Sequence, residues 1–157
     1  MLDVTTREIL AELIGFPSVS RDPNRQLIDY CAGLLGDVGV DSHIIENDEG
    51  TKANLFATIG PAERPGVMLS GHTDVVPVDG QAWTRPAFEA TEEAGRIYGR
   101  GTVDMKGFVA AALVAASSTA SAAAAVAGDS EAVPAAGVVV DVAVLGGALP
   151  VPLGATP

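Results

Sequence analysis

The sequence predicts an α/β fold, a mixed sheet with flanking helices, from three observations. Two N-terminal stretches place apolar residues at helical spacing. Three short apolar runs between turn signals then read as strands. The third of these runs, and a later one before Gly99, lead into glycine and then His or Asp, which is how a strand or helix start delivers polar side chains to the rim of a sheet.

In chain order, Thr5-Thr6-Arg7-Glu8 is a capping-box signature. Ile9, Leu10, Leu13 and Ile14 follow on one helical face, so a helix is predicted over 6–14, ended by Gly15 and Pro17. Pro23 suits the start of a second helix. Its stripe is Leu27, Ile28, Cys31, Leu34 and Leu35, and the glycines of 36–39 stop it. Strands are predicted over 40–46, 52–59 and 67–70, separated by a turn at 47–50 and a polar loop at 61–66. His43, beside Ile44 on the first strand, reads as a surface residue. Residues 88–91 and 96–98 flank Glu92-Glu93-Ala94-Gly95 as a hairpin connection, which makes the two glutamates solvated turn residues. A last helix is predicted over 107–116.

Composition narrows the function classes. A net charge of −11 and a pI near 4.3 argue against nucleic acid and anionic membrane surfaces as partners. Cys31 is the only cysteine, so no intrachain disulfide forms, and it reads as a small hydrophobe on a helix face. Asp3, Arg7 and Glu8 interrupt any apolar secretory segment. The uncharged run 108–128 is long enough for a membrane span, but it is mostly alanine with Ser117, Ser118, Thr119 and Ser121 in its middle, and reads as non-spanning.

The chemistry-bearing residues lie in two motifs, Ser-Gly-His-Thr-Asp-Val-Val-Pro at 70–77 and Gly-Arg-Gly-Thr-Val-Asp-Met-Lys-Gly at 99–107. Strand residues i and i+2 point the same way, so His72 and Asp74 emerge together. Asp104 ends a second apolar-to-glycine transition. One histidine and two aspartates suit a divalent metal such as zinc. On the residues alone, His-x-Asp is more often a hydrogen-bonded pair at a strand end than a metal site, and Asp near Gly is more often a turn residue.

The runs SGHTDVVPVDGQAW (70–83), RPAF (85–88) and GRIYGRGTVDMKGF (95–108) resemble the co-catalytic zinc aminoacylase/carboxypeptidase family, in particular its acetylornithine deacetylase branch. The resemblance is dense from about Leu13 to Phe108 and stops there. It implies an incomplete zinc-exopeptidase-like mixed sheet. It implies two zinc (or cobalt) ions, with His72 a ligand of one and Asp104 bridging both. Asp74 is implied as a catalytic residue, hydrogen-bonded to the imidazole, and the Asp104–Met105 peptide as cis. The implied substrate is a small N-acyl amino acid, N-acetyl-L-ornithine cleaved to L-ornithine and acetate in arginine biosynthesis. A cytoplasmic location follows for the family, and a homodimer for its complete members.

The family's general base is a glutamate followed by a ligand glutamate, with a further acidic ligand and a late histidine. No Glu-Glu pair follows Asp104 here, and no histidine follows His72. From Val109 onward there is no Lys, Arg or aromatic residue, and only Asp129, Glu131 and Asp141 carry charge. The expected organisation is the N-terminal part of a zinc hydrolase domain over 1–116 and a low-complexity Ala/Val/Gly/Pro tail over 117–157, poorly packed except where 138–145 pairs with the sheet. A truncated or frame-shifted copy of the deacetylase is expected. The alternatives are an inactive remnant and a related succinyl-diaminopimelate desuccinylase or aminoacylase. Residues 78–83 and Thr102-Val103 lean towards the deacetylase.

Overall fold

A computed structural model describes residues 2, 4–60, 65–127 and 137–143. Helix α1 is Thr6–Gly15, and its capping box forms as the sequence predicts. The Thr5 hydroxyl accepts from the Glu8 amide at 3.3 Å, and the Glu8 carboxylate accepts from the Thr5 amide at 2.7 Å. These bonds hold the Glu8 carboxyl below its usual range. Helix α2 is Arg25–Gly36, starting after Pro23 rather than on it. Asn24 intervenes because its amide is committed elsewhere: it exchanges two 2.8 Å hydrogen bonds with the backbone of Ala53, tying the helix start to the sheet.

The sheet contains β1 (Ser42–Glu46), β2 (Ala53–Ile59), β3 (Gly66–His72) and a later strand, Gly137–Ala143. A small hairpin, β4 (Thr91–Glu93) and β5 (Arg96–Tyr98), lies between them in sequence, so the later strand is β6. Strand order is β1-β2-β6-β3, with β6 antiparallel to β2 and parallel to β3. The stretch expected to pair with the sheet therefore does so, as one strand and in an interior position. Residues 144 and 145 lie outside those described. Val140 and Val142 are buried with Leu55, Leu13, Ile28, Leu35 and Leu113 in one core.

Helix α3 is Gly107–Ala127, well beyond the predicted end at 116. Ser117 and Ala120 are buried in or against the core. The hydroxyls of this stretch are satisfied within the helix: Ser117 donates to Val114, Thr119 to Ala115 and Ser121 to Ser117, at 2.8–3.0 Å. Alanine, the best helix former, needs no apolar stripe to continue the helix. Thr102–Ala124 is long and apolar enough to cross a membrane by length and composition alone. Its Val109, Ala110, Leu113 and Ala116 face the core formed with α1, α2 and the sheet.

The hairpin differs in register from expectation. Glu92 and Glu93 lie on β4, and the turn is Ala94-Gly95, with φ of 50° and 74°. Two successive positive φ angles are what a tight two-residue hairpin needs. Both glutamates remain solvated, Glu92 paired with Arg7 and Glu93 with Arg85. His43 is exposed on β1, as predicted.

Cys31 is fully enclosed on α2, and burial pushes its thiol up to about 12. Because the thiolate is the reactive form, iodoacetamide at pH 8 is expected to leave the folded chain unmodified and to alkylate it fully in denaturant. Mass spectrometry of the two samples reads this directly, and rapid native labelling would contradict the burial of α2.

Candidate metal centre

Strand β3 extends to His72, so the imidazole is its final residue. Gly71, just before it, packs against α3: a Cβ there would lie 3.1 Å from both Phe108 and Val109 side-chain atoms. The strand end is then fixed by a 2.9 Å bond from the Thr73 amide to the Ala143 carbonyl on β6. Asp74 follows outside the strand. Its position comes from the Pro17–Ser20 connection, which bridges in parallel to Val75. Ser18 donates its hydroxyl to the Thr73 carbonyl at 2.7 Å, and Ser20 donates to the Asp74 carboxylate at 2.5 Å.

Asp104 arrives on the Thr102–Lys106 turn, whose backbone is non-helical at Asp104 and Met105. The Asp104–Met105 peptide is cis. Gly101 precedes it at φ 84°, and a Cβ at that position would lie 2.6 Å from Val75, so only glycine lets the two motifs approach. Lys106 anchors the turn from below. It is completely buried, and its ammonium donates to the carbonyls of Leu13 and Phe16 at 2.7 Å each, closing the C-terminal end of α1. Burial pushes this group down to about 8. Lys106→Met removes the donor from both carbonyls. A loss of about 2 kcal/mol is expected, the cost of buried acceptors left unpaired less the relief of a buried charge. The urea midpoint measures it, and an unchanged or higher midpoint would contradict the anchor.

The three residues singled out by sequence come together around the imidazole. His72 Nε2 lies 3.0 Å from Asp104 Oδ1. His72 Nδ1 lies 3.1 Å from the Asp74 carbonyl oxygen and 3.4 Å from its carboxylate. The backbone carbonyl, rather than the carboxylate, is thus the nearer partner of Nδ1. Nδ1 faces only acceptors and therefore donates, which leaves the Nε2 lone pair directed at a carboxylate oxygen. Such an arrangement is met by a proton on Nε2 or by a cation between the two groups. One nitrogen and one carboxylate oxygen are donors that zinc accepts. The Asp104 side chain is 85% exposed and that of His72 14%, so the open side of the pair is the Asp104 side. Among the described residues no group of three His, Cys, Asp or Glu side chains is arranged to hold a metal ion. The donor chemistry fits zinc, but the count is one short of the three protein ligands usual at a catalytic zinc. Asp141, an acid of the C-terminal stretch, sits opposite Ser70 on β6 and accepts from its hydroxyl at 2.9 Å. Asp129 and Glu131 lie outside the described residues.

His72 and Asp104 open onto a cavity of about 600 Å³ shared with Ser20, Trp83, Tyr98 and Arg100. Residues 68–133 match the family described as Peptidase family M20/M25/M40. This stretch is similar to part of an M20 peptidase domain. This M20 match runs past Phe108, where the motif resemblance stops, and includes all of α3. Acetylornithine deacetylase of Pectobacterium atrosepticum is 42% identical over 112 residues, which is 66% of this chain and 28% of that protein. The corresponding protein of Pasteurella multocida is 40% identical over 117 residues, 70% of this chain and 30% of its own length. The chain thus spans less than a third of these relatives. An M20 family metallo-carboxypeptidase from Sulfolobus solfataricus superposes with a TM-score of 0.69 at 26% identity, covering 92% of this chain and 31% of that one. Human carnosine dipeptidase 1 shares the fold, with a TM-score of 0.70 at 23% identity.

Ser20 and Lys106 hold this arrangement in place, yet the sequence gives neither a role. Their partners are 54 and about 90 positions away. The one local hint is a lysine set between a metal-type aspartate and an apolar helix, where a surface charge has no obvious place.

Proposed function

We propose that this chain is the N-terminal, metal-binding part of a metal-dependent amide hydrolase of acetylornithine deacetylase type, acting in the cytoplasm on small N-acyl amino acids such as N-acetyl-L-ornithine. The observation that carries the reading is the 3.0 Å approach of His72 Nε2 to Asp104 Oδ1 within a segment 40–42% identical to acetylornithine deacetylases. His72 would hold a zinc or cobalt ion through Nε2, and Asp104 would offer it a carboxylate oxygen, with the second oxygen left for a neighbouring ion. When bound, such ions supply hydroxide at neutral pH and polarise an amide carbonyl.

The chain's own residues contribute orientation. Asp74, fixed by Ser20, keeps the Nδ1 proton of His72 in place and so presents the Nε2 lone pair. No general base is assigned, because the described residues place no glutamate in the cavity. Residues 1–116 are taken as the catalytic-domain part and 117–157 as the compositionally distinct part, although α3 and β6 join them physically. Arginine biosynthesis is the metabolic setting this reading suggests.

Histidine-ring NMR during zinc titration tests it. The signals of His72 should move at Nε2 while its Nδ1 proton persists, and those of exposed His43 should stay fixed. Equal responses from both histidines, or none from His72, would contradict the assignment.

A further inference from the structure

The cavity beside His72 and Asp104 contains a feature that the metal chemistry does not use. Arg100 is the one Lys or Arg among the described residues that line it. Arg7, Arg21, Arg25 and Arg85 each pair with a carboxylate. Arg100 instead is held by neutral groups. Its Nη2 donates to the Gln81 side-chain oxygen at 2.5 Å, and its guanidinium lies 4.9 Å from the centre of the Trp83 ring. The same Gln81 oxygen accepts from Trp83 Nε1 at 3.1 Å, so one amide fixes both the cation and the ring beneath it. A 2.6 Å bond from the Arg100 amide to the Ala87 carbonyl fixes its backbone. Arg100 Nε is enclosed and has no acceptor among the described residues.

A guanidinium immobilised on an aromatic face at a cavity wall, with no carboxylate partner among the described residues, is a preorganised anion receptor. A carboxylate is its best geometric match, because planar N–H groups meet two coplanar oxygens. We propose that Arg100 binds the carboxylate of an N-acyl amino acid whose amide lies towards His72 and Asp104. Gln81 and Trp83 act as positioning residues that hold the guanidinium. This assignment rests on the amide-hydrolase reading of the site and names the part of the substrate that the cavity recognises.

Trp83 is the only tryptophan and touches the guanidinium, so its fluorescence reports occupancy. The full chain is titrated with N-acetyl-L-ornithine and with its C-terminal carboxamide, and half-saturation concentrations are compared. We expect the carboxamide to need at least about ten-fold more ligand, since it loses a charge-assisted pair. In Arg100→Gln the two ligands should become equivalent, and Arg100→Lys should recover part of the preference. Equal half-saturation of the two ligands in the unsubstituted chain overturns the proposal without reference to any variant. So does a preference surviving Arg100→Gln, or no saturable response to the acid. Zinc titration of the same sample separates the two ideas. A His72 response to zinc without carboxylate preference leaves the metal reading standing and removes Arg100. Carboxylate preference without a His72 response does the reverse.

Discussion

The 157-residue chain is expected to hydrolyse N-acetyl-L-ornithine no faster than its His72→Ala and Asp104→Ala variants, even with excess zinc or cobalt. The described residues bring one imidazole and one carboxylate oxygen to the site. Two protein donors leave an ion mostly hydrated and free to wander, and the chemistry needs it fixed to well under an ångström. The glutamate pair that the resemblance requires after Asp104 is absent from the sequence. Loss of a general base alone removes ~10²–10⁴-fold in rate. Loss of metal fixation and substrate orientation multiplies that, since orientation alone can be worth about 7–11 kcal/mol of barrier. Turnover well above both variants would mean that Asp129 or Glu131 completes the centre. Asp141 is not a candidate, because it faces Ser70 on the sheet.

The second large effect concerns β6. Val140 is fully buried between Ala57 of β2 and Leu69 of β3, on the side of the sheet covered by helices. Val140→Asp places a carboxylate with no cation partner in that core, at a cost of at least ~4 kcal/mol, a large part of the stability of a domain this size. Cooperative unfolding in urea should disappear or shift far to low denaturant. Val139→Thr, one residue away on the opposite face, should cost under about 1 kcal/mol. If both variants unfold like the unsubstituted chain, β6 is not an interior strand. Comparable losses would instead mean that the alternation of faces is wrong.

This contrast shows what the sequence made legible. Helices α1 and α2 carry large apolar residues at helical spacing, and α1 also a capping box, so their apolar faces can be read locally. The C-terminal half of α3 has only alanine and hydroxyl residues, which carry no face, and its length rests on packing and on hydroxyls satisfied by the preceding turn. β6 is legible as a valine-rich strand. Its insertion between β2 and β3 is not, because pairing across some eighty positions leaves no local mark. The site divides the same way. His72, Asp74 and Asp104 are marked by their motifs, whereas the hydroxyl of Ser20 that aims Asp74, and Lys106 beneath the turn, act across the fold. The register of the β4–β5 hairpin was missed because a non-glycine residue, Ala94, takes the first positive φ of the turn.

The central claim is that this chain carries a partial metal centre built on His72 and Asp104, and calorimetric titration with zinc tests it most directly. Complete four-ligand structural sites are worth about 10–16 kcal/mol, so two protein donors should supply roughly half, a dissociation constant of roughly 1–200 µM. We expect one ion per chain in that range, with binding abolished by His72→Ala and at least ten-fold weaker in Asp104→Ala, the ten-fold step being about 1.4 kcal/mol. Two ions bound at nanomolar affinity, or weak binding indifferent to His72→Ala, would contradict it.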